Sequence, residues 1–568
     1  MYIPRSEHPN PQFQREHWQC LNGEWQFEID QGKSGEARGL AKPDAVYSRR
    51  ITVPFCPQSA LSGIGETDFM YSVWYRREVE LTDSQLRGAV LLHFGAVDYE
   101  ARVFINGKPA ASHRGGYVSF CLDITAFCKA GVNVICVNAL DDERDPMIPR
   151  GKQSEEYFSH SCDYTRTTGI WQSVWLEFVP DTRIESFKFY PDCKTGSLTV
   201  RARLRGAGVL TAQAWYHGRE VGVSSVASEG GDALLTLAFS ETHLWQPGEG
   251  NLYDLVFTYG EDTVKSYCGL RSLRLDGFRF MINEKPVFQR LVLDQGFYPD
   301  GIYTAPSDAA LRGDIERAMA CGFNGARLHE KIFEPRFLYH ADRMGYLVWG
   351  EYPNWGLDHS RSEAVFSILP EWLEEIQRDF NHPSIIGWCP FNETWDRDGR
   401  KQNDEVLRMV YLATKAADDT RPCIDVSGNF HVQTDIFDVH DYEQDPVVFR
   451  ANYDKLMTED TLHDRFSDRQ PYSFGMPVFI SEYGGIQWSD GVGWGYGNAP
   501  KDEAAFIARY RGLTEAILQN KRMFGFCYTQ LTDVEQERNG LYTYDRQPKF
   551  DPAVFYAINT QPAAIETE

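Results

Sequence analysis

Short apolar runs punctuated by turn residues fill the first third of the chain. "ITVPF", "VWYRREVEL", "AVLLHFG", "ARVFING" and "VNVICVNAL" are each bounded by Gly, Pro, Asn or Asp, and no helical stripe separates them. That grammar predicts an antiparallel jelly-roll β-sandwich over residues 1–180. In "SLTVRARLRG", Leu198, Val200, Ala202 and Leu204 alternate with polar residues, a strand with one buried face, and a second, smaller β-sandwich fits residues 181–272. From residue 273 to 568 the period changes. "SDAALRGDIERAMACG" has Ser307 as an N-cap, Leu311, Ile315 and Ala318 at helical spacing and Gly322 past the end, while Phe506, Tyr510, Leu513 and Ile517 form a later stripe. Between such helices lie "VFQRLVL", "NGARLHE", "YLVWGEYP", "IIGWCPFNE", "CIDVSG", "IFDVHDY", "PVFISEYGG" and "MFGFCYTQL". Eight strands alternating with helices predict a C-terminal (β/α)8 TIM barrel.

The barrel reading gives meaning to "IIGWCPFNETWD", where a buried strand ends in Asn392 and Glu393. Active sites of this fold gather at the C-terminal strand ends. Those ends supply Arg327, His329, Glu330, Glu351, Asn392, Glu393, His440, Asp441, Tyr442, Glu482, Tyr528 and Gln530. Two carboxylates facing one another, Glu393 after the fourth strand and Glu482 in the seventh, are what glycosidic bond cleavage requires. One donates a proton to the leaving oxygen and the other attacks or stabilises the oxocarbenium-like transition state.

Composition narrows the alternatives. The 568 residues carry 57 Lys and Arg against 81 Asp and Glu, a formal charge of -24, which disfavours a nucleic acid or an anionic membrane as partner. The N-terminus shows no basic segment followed by an apolar core, no apolar run spans a membrane, and the 12 cysteines form no C-x-x-C pair. The expectation is a cytoplasmic protein with reduced cysteines. Aromatic residues reach 14%, with 14 Trp, which suits stacking on pyranose faces. The chain has no H-E-x-x-H or G-x-S-x-G motif.

"GWCPFNE" followed by "PVFISEYGG" resembles the acid/base and nucleophile signatures of family 2 glycoside hydrolases, the group of β-galactosidases, β-glucuronidases and β-mannosidases. "LNGEWQFEID", "ARVFINGKPAASHRGGYVSF", "DYTRTTGIWQSVWLE" and "GFNGARLHEKIFEPRFLYHADRMGYLVWGE" extend the resemblance along the whole chain. It implies an immunoglobulin-like fold for the second sandwich, Glu393 as general acid/base and Glu482 as nucleophile. Asn392, Asp163, Arg327, Tyr442, His440, Trp355, Tyr528 and Trp488 would contact substrate or orient the nucleophile. Three departures matter. Glu351 is followed by Tyr352 and Pro353 rather than by the Glu-x-His of a magnesium site, so no metal or other cofactor is expected. "NAPK" spaces Asn498 and Lys501 one residue too widely for the Asn-x-Lys tied to glucuronides, leaving Lys501 or Arg397 as substitute cations. Tyr528 stands where relatives more often have Trp. The loop "SDGVGWGYGNAP" offers Trp488, Trp494 and Tyr496 as a mobile rim. The expected activity is a retaining exo-β-glycosidase acting on terminal β-galactosides, with β-glucuronides or β-mannosides next and a catalytically silent carbohydrate-binding protein as the rival. The expected partner is a carbohydrate, with a homo-oligomer possible.

Overall fold

The computed structural model describes residues 3–466, 470–489 and 491–567. Strands of the first unit run between Trp18 and Val179 and form two main antiparallel sheets, one of four strands and one of six, with Val97–Asp98 and Gly169–Ile170 pairing beside them. Their facing sides bury Trp25, Phe27, Tyr75, Val103, Ile135 and Leu176. The second unit, Arg183 to Cys268, packs a three-stranded sheet on a four-stranded one. Leu198, Val200, Ala202 and Leu204 face its core as their alternation predicts.

The third unit curls strands Gln289–Asp294, Gly325–Leu328, Leu347–Glu351, Ile385–Cys389, Phe437–Asp441, Val478–Gly484 and Met523–Thr529 into one parallel sheet of seven, with Ile385–Cys389 and Phe437–Asp441 at its edges. Seven helices lie outside it among the described residues, and Ser307 caps the first by accepting from Ala310 N at 3.2 Å. The fifth expected strand is a departure. The segment around Cys423 touches the fourth strand only through bridges at Trp388–Cys423 and Asn392–Ser427. Two features of its sequence explain this. Pro422 has no N–H, and the Asp425 carboxylate accepts from the backbone N–H groups of Val426, Val432 and Gln433 at 2.8, 2.6 and 2.8 Å, folding the chain back on itself.

The two sandwiches meet opposite ends of the barrel. The first sends its loop 150–165 to the C-terminal strand ends: Arg150 N donates to Trp355 O at 2.7 Å, and Gln536 donates to Asp163 O at 2.9 Å. The second sits beneath the N-terminal ends, where Phe189 N donates to Asn381 at 2.8 Å and Tyr267 donates to Asp342 at 2.8 Å. All twelve cysteines are free thiols. Among the described residues no helix is long and apolar enough to cross a membrane.

Candidate active site

Arg327, in the second barrel strand, organises the mouth. Its guanidinium donates to Glu351, to Glu482 Oε1 at 3.1 Å, to Ser481 O at 2.8 Å and to Asn392 Oδ1 at 3.1 Å. Ser481 and Glu482 share one strand while Glu351 and Asn392 end two others, so one planar cation fixes three strand ends at once. Glu351 gives its second oxygen to His329 at 3.1 Å. Burial pushes the Glu351 carboxyl up, Arg327 pulls it back, and it settles at about 7.

Glu482 is held on its other oxygen by the Tyr442 hydroxyl, which also meets Thr529 Oγ1 at 3.1 Å. The ring of Tyr496 stacks on Tyr442 with centroids 3.4 Å apart and planes at 6°. Glu393 faces Glu482 from the fourth strand, and His440 lies between them, 2.8 Å from Glu393 Oε1 and 3.5 Å from Glu482 Oε2. Single donor atoms of Glu393, His440 and Glu482 all fall within 4.8 Å of one another. Such a set has the reach to hold a cation, but Arg327 and Tyr442 already occupy Glu482. The outer set Glu155, His160 and Asp163 is likewise threaded by Arg150, which ion-pairs with Glu155 at 2.6 Å and Asp163 at 2.5 Å.

Electrostatics separates the two carboxyls from the ordinary range. Burial raises Glu482, and the positive His440 and Arg327 more than offset it, leaving the group below its usual value. Glu393 moves the same way, burial opposing the hydrogen bond and charge of His440. The imidazole responds in the opposite sense: burial lowers it, and Glu482 with Glu393 carry it above its normal value. The proton of this triad therefore rests on His440, within hydrogen-bonding distance of Glu393. Exposure differs too, with 24% of the Glu393 side chain accessible against 6% for Glu482, so Glu393 faces the open side.

The backbone is strained where these groups project. Glu330 and Glu393 have φ of +49° and +42°, a left-handed region that costs a non-glycine residue about 1–3 kcal/mol. Asn354 accepts from Asn392 N at 2.7 Å, and Ser427 O accepts from Glu393 N at 2.9 Å, holding that turn. The irregular fifth segment thus serves the site. Among the described residues the buried Asn392 Nδ2 has no hydrogen-bond partner, which leaves a donor open in the mouth. Trp355 packs alongside, its indole N–H donating to Asn392 O at 3.1 Å.

Asn392, Glu393, Arg327, His440, Tyr442, Glu482 and Trp355 thus converge, and Asp163 reaches the rim from the first sandwich. Two expected contacts do not. Tyr528 packs its ring on Tyr483 and Tyr510, 5.6 and 4.9 Å away, between strand and outer helix; the next residue, Thr529, faces the mouth instead. Trp488 packs on Phe506 and Phe550 under the same helix. From its loop it is Tyr496 that enters the site, while the Trp494 indole donates to Ser161 O of the first sandwich and pins the rim that was expected to be mobile; Asp490 of this loop lies outside the described residues. The proposed substitute cations fail as well, since Lys501 is 83% exposed and Arg397 donates to Gly356 O. Missed in the sequence were Asn354, Glu537, Tyr164, whose hydroxyl donates to Glu537, and Lys152, whose ammonium lies 3.7 Å from the Trp355 ring centroid. The one available signal was "PRGKQS", a cation beside a glycine in a stretch without strand alternation.

Sequence comparison matches residues 65–180 to the sugar binding domain of glycosyl hydrolases family 2, residues 182–271 to a second unit of that family and residues 311–559 to its TIM barrel domain. A putative β-glucuronidase of Formosa agariphila is 27% identical over 61% of this chain and 42% of its own length. A β-galactosidase of Thermoanaerobacter pseudethanolicus is 28% identical over 61% and 48%, so the chain spans under half of either relative. A β-glucuronidase of Paenibacillus borealis is 23% identical over 93% of this chain and 94% of its own. Among solved structures, a β-glucuronidase from Ruminococcus gnavus in complex with D-glucuronic acid superposes with a TM-score of 0.78 at 20% identity, covering 98% of this chain and 99% of that one. With three consecutive matched units on one fold, the chain belongs to glycosyl hydrolases family 2.

Proposed function

We propose that this chain is a retaining exo-β-glycosidase. The observation that carries the proposal is the close approach of Glu393 and Glu482, whose donor atoms lie within 4.8 Å of one another. Retaining enzymes hold their carboxyl groups about 5–5.5 Å apart, whereas inverting ones leave about 6.5–9.5 Å for a water between them. Glu482, kept ionised by Arg327 and Tyr442, attacks the anomeric carbon and forms a glycosyl ester. Glu393 gives its proton to the departing oxygen, taking it up from His440 as the leaving group develops charge. In the second half Glu393 removes a proton from water, which attacks the same carbon and frees Glu482. The unpartnered Asn392 Nδ2 suits the sugar 2-hydroxyl, a contact that strengthens in the transition state. The loop 150–165 walls one end of the mouth and limits action to a terminal sugar.

For the glycone we favour a β-glucuronide over the β-galactoside expected from sequence. Two of the three relatives above are named β-glucuronidases, and the long-range match is one of them. Nitrophenyl β-glucuronide, β-galactoside, β-mannoside and β-glucoside, offered to the wild type and to Glu482→Gln, test both levels. The expected result is turnover of the glucuronide that disappears in the variant. Preference for a neutral sugar would overturn the glucuronide reading alone; binding without turnover of any would support the silent carbohydrate-binding protein.

A further inference from the structure

The mouth contains several cations, and most of them are committed. Arg327 is shared among Glu351, Glu482, Asn392 and Ser481. His440 is engaged by Glu393 and Arg150 by Asp163 and Glu155, while burial pushes the His329 imidazole well below its usual value, so it is no cation. Lys331 donates to Gly296 O at 2.5 Å and Tyr303 O at 2.7 Å. Lys152 differs. It is 95% buried by its 5% exposure, and among the described residues its ammonium has neither a hydrogen bond nor a carboxylate within 4.0 Å. Its one close contact is the face of Trp355, 3.7 Å from the ring centroid, and that indole is itself bonded to Asn392 O next to Glu393. An ammonium has three donors to satisfy, and an aromatic face accepts none of them as a hydrogen-bonding oxygen would.

Its placement is built, not incidental. Gly151, at φ +56°, lies so close to the barrel that a side chain there would meet Glu330 O at 2.4 Å, and Gly151 N donates to Trp355 O at 3.2 Å. Lys152 O accepts from Tyr164 N at 2.7 Å, so the loop delivers the side chain from a fixed anchor. Burial works against the charge of the ammonium, and Cys162, Glu537, Glu393 and Glu330 more than offset it from a distance, holding the group above its usual value. Among the described residues none of these groups reaches the ammonium with a hydrogen bond, so its charge is balanced through space while its donors stay open.

We propose that Lys152 is the specificity-determining residue of the glycone pocket and binds the C6 carboxylate of a β-linked uronide. A ligand carboxylate supplies the hydrogen-bonding counterion the protein withholds, while Trp355 stacks beneath the ring. This places the anion-recognising cation on the first sandwich rather than at Lys501 in the barrel. The inference rests on the glucuronide reading above and gives it a mechanism.

The test uses substrates that differ only at C6. The full-length wild type, Lys152→Met and Lys152→Arg are assayed on nitrophenyl β-glucuronide and nitrophenyl β-glucoside, and calorimetry measures binding of D-glucuronic acid and of D-glucose. Removing one partner of a buried charge pair predicts a loss of at least about 30-fold in kcat/KM for the glucuronide with Lys152→Met, mainly through KM. The glucoside is expected to change less than about threefold by the same logic, since it presents no anion to Lys152. Lys152→Arg restores part of the uronide rate, and D-glucuronic acid binding weakens in step with KM. Equal losses on both sugars, with product binding unchanged, would overturn the assignment and make Lys152 a positioning residue for Glu393. A glucuronide rate untouched by Lys152→Met would overturn it too. Wild type that turns over only neutral sugars would instead overturn the glucuronide reading, and the inference with it.

Discussion

The two β-sandwiches are alike in grammar and unlike in what they give the barrel. Both alternate apolar and polar residues along antiparallel strands, and each buries its own core. The second meets the barrel at its N-terminal end, through Asn381 and Asp342, and turns exposed pairs such as Arg201–Asp232 to solvent. The first meets it at the C-terminal end, where its strands give way to the loop that carries Lys152, Asp163 and Tyr164. In this fold the C-terminal face hosts chemistry and the opposite face hosts stability. Side-chain alternation therefore builds both sandwiches, and function enters only where alternation stops.

The largest expected effects lie at the carboxyl pair itself. Glu482→Gln removes the attacking oxygen while keeping its shape, and turnover of the preferred nitrophenyl glycoside is expected to fall by roughly 10^4-fold or more. Residual activity within a factor of ten would place the nucleophile elsewhere. Glu393→Ala is expected to cost about 10^2- to 10^4-fold on substrates with poor leaving groups. Activated aryl glycosides, which leave without a proton, keep their rate, and azide restores turnover by attacking the glycosyl-enzyme. Equal loss on good and poor leaving groups would rule out Glu393 as the acid.

A pH profile sharpens the role of His440 between them. The imidazole is raised above 6.5 by Glu482 and Glu393 against the pull of burial, so the proton available for leaving-group departure is lost only above that value. Glu482 is lowered, so its ionised form persists below 4.5. The falling limb of kcat/KM is expected on the alkaline side of 6.5 and the rising limb on the acid side of 4.5. The linkage to stability has a matching sign. A raised imidazole contributes fully below its unfolded value, and that contribution disappears as pH climbs through the folded one. A falling limb below 6.5 would mean that His440 is neutral and holds no proton for Glu393.

Much of this architecture is legible from the order of residues. Period-two runs and helical stripes separate three units, and polar endings of apolar runs identify Arg327, Asn392, Glu393, His440, Tyr442 and Glu482 as one mouth. What escapes is phase and the third dimension. "FCYTQ" cannot say whether Tyr528 or Thr529 points inward, because alternation fixes that neighbours differ and not which of them faces the axis. "CIDVSG" has a strand's apolarity, yet Asp425 spends it on a local turn, since a buried carboxylate satisfied by three nearby N–H groups outweighs pairing with a neighbour. Lys152 is invisible for another reason: its importance lies in contacts it lacks, and only packing of one unit on another reveals that.

The smallest effects test the comparison of the sandwiches directly. Tyr164 in the first and Tyr267 in the second each present a buried hydroxyl to a barrel carboxylate, Glu537 at the C-terminal end and Asp342 at the N-terminal end. Losing such a bond to an acidic group costs about 1.5–3 kcal/mol wherever it occurs. The two Phe variants are chemically the same change, so any difference between them reports position. Tyr164→Phe leaves Glu537 with only the Asn539 amide at 3.0 Å and is expected to lower kcat/KM by about tenfold, an energy of about 1.4 kcal/mol drawn from the site. Tyr267→Phe leaves Asp342 still bonded to His382 at 2.6 Å, and its cost falls on the junction of second sandwich and barrel. There the expected change is a melting temperature lower by about 2–4 °C with kcat/KM within twofold of wild type. If both variants lose activity alike, the lower junction transmits to the mouth and the division between a functional and a supporting sandwich fails. If neither does, the first sandwich acts through Lys152 and Asp163 alone, and the Tyr164 bond to Glu537 is only part of the seal between two domains.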